Sequence, residues 1–91
     1  LNAFTAVVTV HADEEMSADS LTVFDVESVL LTGRIVQRQR DVDTGEWKYV
    51  VHGRSTAGIG MAVVLKLGKE RIPVIITVYR LGPASNGRWW R

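Results

Sequence analysis

At Gly33 the apolar pattern of this chain changes its period, and that change constrains the fold more than any other feature. Before it, Val23, Val26, Val29 and Leu30 recur at the spacing of one helical face. After it, Arg34–Arg40, Trp47–Gly53, Met61–Leu67 and Ile72–Arg80 alternate with period two and read as strands. The helix has readable ends. Thr22 is placed as N-cap, Asp25 at N3 is a shortened capping-box carboxylate, and Leu21 and Val26 are placed for a hydrophobic staple. Gly33 then supplies a left-handed stop.

Upstream, Ala12–Ala18 contains good helix formers, with Asp13, Glu14 and Glu15 in the first turn, where the helix dipole favours negative charge. Phe4–Val10 is rich in β-branched residues and reads as a strand or an extended lead-in. Asp43-Thr44-Gly45 and the stretch 68–71 are turns, and Arg54–Gly60 is a longer loop with a flexible Gly58-Ile59-Gly60 connection. The expectation is an α+β domain. Two N-terminal helices pack on one face of a curved antiparallel β-meander of four strands, with room for an N-terminal strand beside it. Residues 1–81 form the single domain, and 82–91, with Trp89-Trp90 between Arg88 and Arg91, form a flexible or partner-docking tail.

Composition narrows the chemistry. A chain of 91 residues is one domain. It has no cysteine, which removes disulfides, thiolate catalysis and thiolate zinc sites. No apolar run approaches the roughly 20 residues of a membrane span, so no membrane association and a cytoplasmic location are expected. The net charge of +1 hides an asymmetry: residues 1–33 carry six acids and no Lys or Arg, while 34–91 carry eleven Lys or Arg against four acids. Such a chain can present one face to a polyanion, or its halves can neutralise each other.

Turn chemistry gives a register to test. A three-residue loop closed by a left-handed Gly fits Asp43-Thr44-Gly45, which would pair Val42 with Glu46. Arg38, Arg40, Lys48 and His52 would then share a side with Val36 and Val50, while Ile35, Trp47, Tyr49 and Val51 face the core. Gln37 and Gln39 also fall on the core side, so either the hairpin tip extends past the helices or a bulge shifts the register. In the second hairpin Leu67 should oppose Ile72. That would put Val74, Ile76 and Val78 in the core, and Lys66, Ile75, Thr77 and Tyr79 on the other side. The helix-free face would gather Arg38, Arg40, Lys48, His52, Lys66 and Tyr79, a set suited to a phosphate-rich ligand.

Such a cluster could bind RNA or cleave it without a metal. Cleavage needs a base at the ribose 2′-hydroxyl, cations around the phosphate and an acid for the leaving oxygen. His52 could serve as base or acid, because imidazoles titrate near neutrality. Arg38, Arg40, Arg54 and Lys48 could stabilise charge, and Tyr79 could donate a proton or stack on a base. An ordinary solvated sheet face would carry similar residues. His11 and Glu15 stand at i, i+4 but lack a motif of metal-ligand spacing, so His11 reads as a residue fixing the strand-to-helix corner. Asp43-Thr44-Gly45 spells the aspartic-protease triplet, yet its flanks are charged where that site needs apolar strands. Gly58-Ile59-Gly60 lacks the third glycine and the helix of a dinucleotide loop.

Taken in order, several motifs resemble a bacterial domain-of-unknown-function family, DUF4258. They are His11-Ala12-x-x-Glu15-Met16, the helix ending Val29-Leu30-Leu31-Thr32-Gly33, Arg34-Ile35-Val36, Trp47-Lys48-Tyr49, and Ile75-Ile76-Thr77-Val78-Tyr79-Arg80. The resemblance covers about residues 7–80 and implies a small toxin in the style of the RelE, MqsR and BrnT group. What it implies is a type II toxin–antitoxin system, with a metal-independent endoribonuclease (mRNA interferase) and a cognate antitoxin of zinc-finger and helix-turn-helix type, with which the toxin would form an oligomer. Members usually carry arginines after the His-Ala pair, where this chain is acidic, so phosphate contacts would come from the sheet. His11, Thr77, Tyr79 and Arg80 match motif positions, with His11 and Thr77 read as structural. The expected catalytic residues are His52, Lys48 and Tyr79; the expected RNA phosphate contacts are Arg38, Arg40, Arg54, Lys66 and Arg80; no cofactor or metal is expected. The competing reading is a non-catalytic module that docks a partner protein through its acidic helices and aromatic tail.

Overall fold

The computed structural model describes residues 6–82. The elements run β1 (Val7–Val8), α1 (Val10–Ala18), α2 (Val23–Thr32), β2 (Arg34–Arg40), β3 (Trp47–Arg54), β4 (Gly60–Leu67) and β5 (Pro73–Arg80). They form an α+β domain with one five-stranded mixed sheet in the order β1-β5-β4-β3-β2. The four-strand antiparallel meander is as expected, and β1 joins it parallel to β5. The expected strand over Phe4–Val10 is thus Val7–Val8 among the described residues, and the tail with Trp89-Trp90 lies outside them. No helix among the described residues is long and apolar enough to cross a membrane.

Both helices lie on one face. From α1 come Ala12 and Met16, and from α2 Val26 and Val29; they pack on Val51, Met61, Val63, Leu65, Ile75 and Val78 of the sheet. The first helix covers β5, and the second covers β3 and β4.

Helix α1 begins at Val10, two residues before the expected start, because Thr9 supplies the N-cap and its Oγ1 accepts from the Ala12 N–H at 3.2 Å. Its position over β5 has a polar cause. Strand β1 ends at Val8, so the β5 edge beyond it would be left without a partner strand. Thr9 donates its N–H to the Ile75 carbonyl at 3.1 Å. Glu15 Oε1 accepts the Val78 N–H at 2.9 Å, and the Arg80 guanidinium donates to the Asp19 carbonyl at 3.1 Å. The Thr9 backbone and the Glu15 carboxylate therefore take up backbone groups of the β5 edge in place of a ladder.

The second helix starts as its sequence says. Asp25 Oδ2 accepts from the Thr22 N–H at 2.9 Å, which is the carboxylate half of a capping box. Its end corrects the expectation for Gly33, whose φ of −95° and ψ of −173° are extended rather than left-handed. Glycine is needed there for proximity: a Cβ on Gly33 would lie 2.4 Å from the His52 carbonyl oxygen and 2.5 Å from that of Val29. Gly53 faces it across the contact, where a Cβ would meet the Val29 oxygen at 2.4 Å. The two glycines let the C-terminal turn of α2 sit directly on the β3 backbone.

Both hairpins depart from the expected register. In the first, Asp41 donates its N–H to the Glu46 carbonyl at 2.8 Å and accepts from the Gly45 N–H at 2.8 Å. The loop thus has one more residue than expected, with Gly45 left-handed at φ 75° in its last position. Asp41 also accepts from the Asp43 and Thr44 N–H groups, at 2.8 and 3.2 Å. Those two bonds, Asp43 first, hold its pKa below the ordinary aspartate value. Arg40 now pairs with Trp47 and Arg38 with Tyr49, and a bulge at Val36 restores Ile35 opposite Val51. Of the two alternatives for Gln37 and Gln39, a bulge does occur, but it lies before them at Val36, and it is the extra loop residue that moves both glutamines to the helix-free face.

In the second hairpin Gly68 donates to Ile72 at 2.8 Å, closing a tight loop in which Glu70 and Arg71 both take left-handed φ of 57° and 61°. Leu67 pairs with Pro73 rather than Ile72, and a second bulge at Ile76 separates Leu65↔Ile75 from Val64↔Thr77. Ile75 is therefore fully buried in the core, and Val74, expected there, pairs with Lys66 on the other side. The longer loop after β3 is tied down rather than flexible. Asp25 Oδ1 accepts the Thr56 N–H and hydroxyl at 3.0 and 2.8 Å, and the buried Ser55 hydroxyl accepts from Ala57 and Ile59 N–H groups. Burial is the largest influence on Asp25 and pushes its pKa up, but the bonds from Thr22 and Thr56 together outweigh it and hold the carboxyl below its ordinary value.

Candidate nucleic-acid interface

Directly opposed residues in a sheet point to the same face, so the pairings define rows across the helix-free side. One row runs Arg34–His52–Ala62–Tyr79. The next runs Gln37–Val50–Val64–Thr77, and the third Gln39–Lys48–Lys66–Val74. Arg54 follows His52 on the same face by alternation along β3.

The first row holds the densest chemistry. Ala62 is fully buried although no helix covers this face, so the larger side chains of its row neighbours His52 and Tyr79 close over it. Tyr79 remains 39% exposed and His52 is half-buried. The row thus carries a guanidinium, an imidazole and a phenol over a small buried residue. The position of Arg54 beside that row is fixed at the backbone: Thr32 Oγ1 accepts its N–H at 3.0 Å, which ties the end of α2 to the end of β3.

The third row is weaker. Lys48 and Lys66 oppose each other, a like-charge pair that destabilises unless it is compensated. The Glu46 carboxylate compensates it, holding the Lys66 Nζ at 3.1 Å. Lys66 thus serves a hairpin ion pair, and Lys48 is the cation this row can offer a ligand.

The structure divides the residues that the sequence had assembled. His52, Lys48, Tyr79, Thr77, Arg54 and Lys66 share the helix-free face. Arg38 and Arg40 do not: the extra loop residue turns both to the opposite side, where their guanidinium carbons lie 5.7 and 5.8 Å from the centroid of the Trp47 ring. Arg80 is also on the helix side, engaged with Asp19. His11 is exposed on α1, with Nε2 3.4 Å from Glu15 Oε2, and so stands beside the carboxylate that caps Val78. The corner-fixing expectation for His11 thus has its nearest counterpart in Thr9 and Glu15, which make the corner's hydrogen bonds. Among the described residues no group of three or more His, Cys, Asp or Glu is arranged to hold a metal ion.

Sequence reasoning missed Arg34, Gln37 and Gln39. Arg34 follows the helix stop directly, and only the correct loop length and bulge bring it opposite His52. No curated protein and no solved structure matches this chain. A family model does, over residues 8–80, from the β1 edge that α1 completes through the last residue of β5. The match covers both bulges, the Gly33–Gly53 contact and the whole Arg34–His52–Tyr79 row, and the chain belongs to the family described as Domain of unknown function (DUF4258).

Proposed function

We propose that the protein is a RelE-like toxin of a type II toxin–antitoxin pair, acting in the cytoplasm as a metal-independent endoribonuclease through the helix-free sheet face. The observation that carries this reading is the row Arg34–His52–Ala62–Tyr79, which sets a cation, an imidazole and a phenol side by side on an open face. In the reaction the ribose 2′-oxygen attacks phosphorus and the 5′-oxygen leaves, giving a 2′,3′-cyclic phosphate. His52 takes the 2′-hydroxyl proton or returns one to the leaving oxygen. Arg34 and Arg54 hold the phosphate, where charge accumulates in the transition state. Tyr79 stacks on a base or donates the second proton, and Lys48 guides the strand along the sheet. An antitoxin that covers this face excludes RNA.

Purified protein incubated with a defined mRNA, with and without EDTA and beside His52→Ala, tests the reading by primer extension. Cuts that survive EDTA and vanish in the variant are expected. The same assay in a translating extract separates a ribosome-dependent enzyme from one that cuts free RNA. Absence of cutting in both overturns the enzyme.

The second reading, a non-catalytic docking module, draws on α2. Phe24 and Leu31, two turns apart on its outer side, are 66% and 79% exposed on a helix that carries no basic residue. RNA affinity that is absent, or flat in salt, favours that module, because binding through several cations weakens steeply with ionic strength.

A further inference from the structure

The outer edge of the sheet is a separate feature from the RNA face. Strand β2 ends the sheet, so among the described residues its seven residues pair with β3 on one side and with no strand on the other. Its helix side is uncovered as well, since α2 lies over β3 and β4. Ile35, opposite Val51, is 56% exposed there, and Trp47, opposite Arg40 at the other end of the strand pair, is 44% exposed. Arg38 and Arg40 flank the Trp47 ring, and β2 contains no acid. A long edge strand is a template for pairing, and inward-pointing charges with a bulge are how sheets restrict what pairs with it.

We infer that the β2 edge is the docking site of an acidic extended segment of a partner protein, which adds to the sheet as a sixth strand. Charge selects this occupant. A second copy pairing through β2 brings Arg34, Arg38 and Arg40 and no carboxylate, so it leaves the guanidinium groups of the edge without an opposite charge. Residues 83–91 of this chain contain Arg88 and Arg91 and no acid, so they carry the wrong sign too. A strand with carboxylates opposite Arg38 and Arg40 and an apolar residue opposite Ile35 satisfies the charges, the apolar surface and the open backbone groups together. The guanidinium groups are pre-positioned by Trp47, so little side-chain order has to be imposed on binding. This inference is independent of any ribonuclease activity.

The test uses the full chain and a fluorescein-labelled Glu-Val peptide, about ten residues long so that it spans β2, in which one strand face carries two Glu for Arg38 and Arg40 followed by Val for Ile35. Lys-Val and N-methylated Glu-Val peptides serve as controls. Fluorescence anisotropy should show the Glu-Val peptide binding, the Lys-Val peptide failing to bind, and a loss of about tenfold or more on N-methylation of alternate residues, which blocks one ladder edge. The double variant Arg38→Glu, Arg40→Glu, checked for fold by circular dichroism, should lose the Glu-Val peptide and bind the Lys-Val one. Amide exchange should slow in Arg34–Arg40 on binding. Three results overturn the inference: no binding of the Glu-Val peptide, affinity that survives N-methylation, or affinity unchanged in the double variant. A dimer of the free protein that the double variant dissolves would assign the edge to self-association and overturn it as well.

Discussion

Glu15 to Ala separates a structural role from a catalytic one for the most motif-like residue of α1. Its Oε1 accepts the Val78 N–H at 2.9 Å, and Val78 is fully buried, so removing the carboxylate strips a buried amide of its acceptor. Hydrogen bonds to charged groups contribute about 1.5–3 kcal/mol. The Glu15 side chain is 28% exposed, so water can reach part of the vacated space, which places the loss near the lower end, at about 1.5–2 kcal/mol. A domain of this size shifts its melting temperature by about 4–8 °C per kcal/mol, so the expected drop is about 6–16 °C. Glu15→Gln keeps an acceptor oxygen but loses the charge, and should cost about 0.5–1 kcal/mol. Thermal and urea unfolding of the three proteins measure this, with RNA cleavage assayed on those that remain folded. Two results refute the reasoning: Glu15→Ala within about 0.5 kcal/mol of wild type, or Glu15→Gln as unstable as Glu15→Ala.

The remaining predictions follow from contacts of the same kind. Gly53→Ala forces a Cβ against the Val29 carbonyl oxygen, a backbone atom that cannot swing away, so it should cost about 3 kcal/mol or more by urea denaturation. Glu70→Gly, at a left-handed position, should stabilise by about 1 kcal/mol in the same assay, and a loss there would contradict the loop geometry. Asp25→Asn should flatten the acid limb of stability against pH. Because the folded-state pKa is lowered, the stabilisation is complete above the unfolded value near 3.8 and is lost as pH falls through the folded one. Urea midpoints from about pH 2 to 6 should therefore fall steeply in wild type and less so in the variant. Under the proposed function, Arg34→Ala and His52→Ala, each shown to be folded by circular dichroism, should lower RNA cleavage by about a hundredfold or more, whereas Arg38→Ala, on the opposite face, should leave cleavage unchanged.

What was legible in the sequence was local. The Thr22 and Asp25 cap, the period change at Gly33 and the presence of four strands after it each depend on residues within a few positions of one another, and each stands in the structure. The site was half legible for the same reason. His52 and Lys48 are assigned to one face by alternation within β3 alone, and that assignment survives any error in the hairpins. Arg38 and Arg40 depended on a loop length, and one extra residue moved both to the other side of the sheet.

The sequence by itself determined the element order, the segregation of acids into the helices and bases into the sheet, and the alternation that reserves one side of β3 and of β4 for the core. Tertiary structure alone decided the two bulges, the register that sets Arg34 and Tyr79 in one row with His52, and the use of Gly33 and Gly53 for close approach rather than for left-handed backbone. The physical reason is that helix caps and strand periods are satisfied by neighbours in the chain, whereas a bulge is worth forming only when it brings apolar side chains such as Ile75 onto a core supplied by distant segments. Glu15 shows the same division. Its place on a helix was local, but its partner, the Val78 amide, lies 63 residues away and became available only because β1 stops short of it.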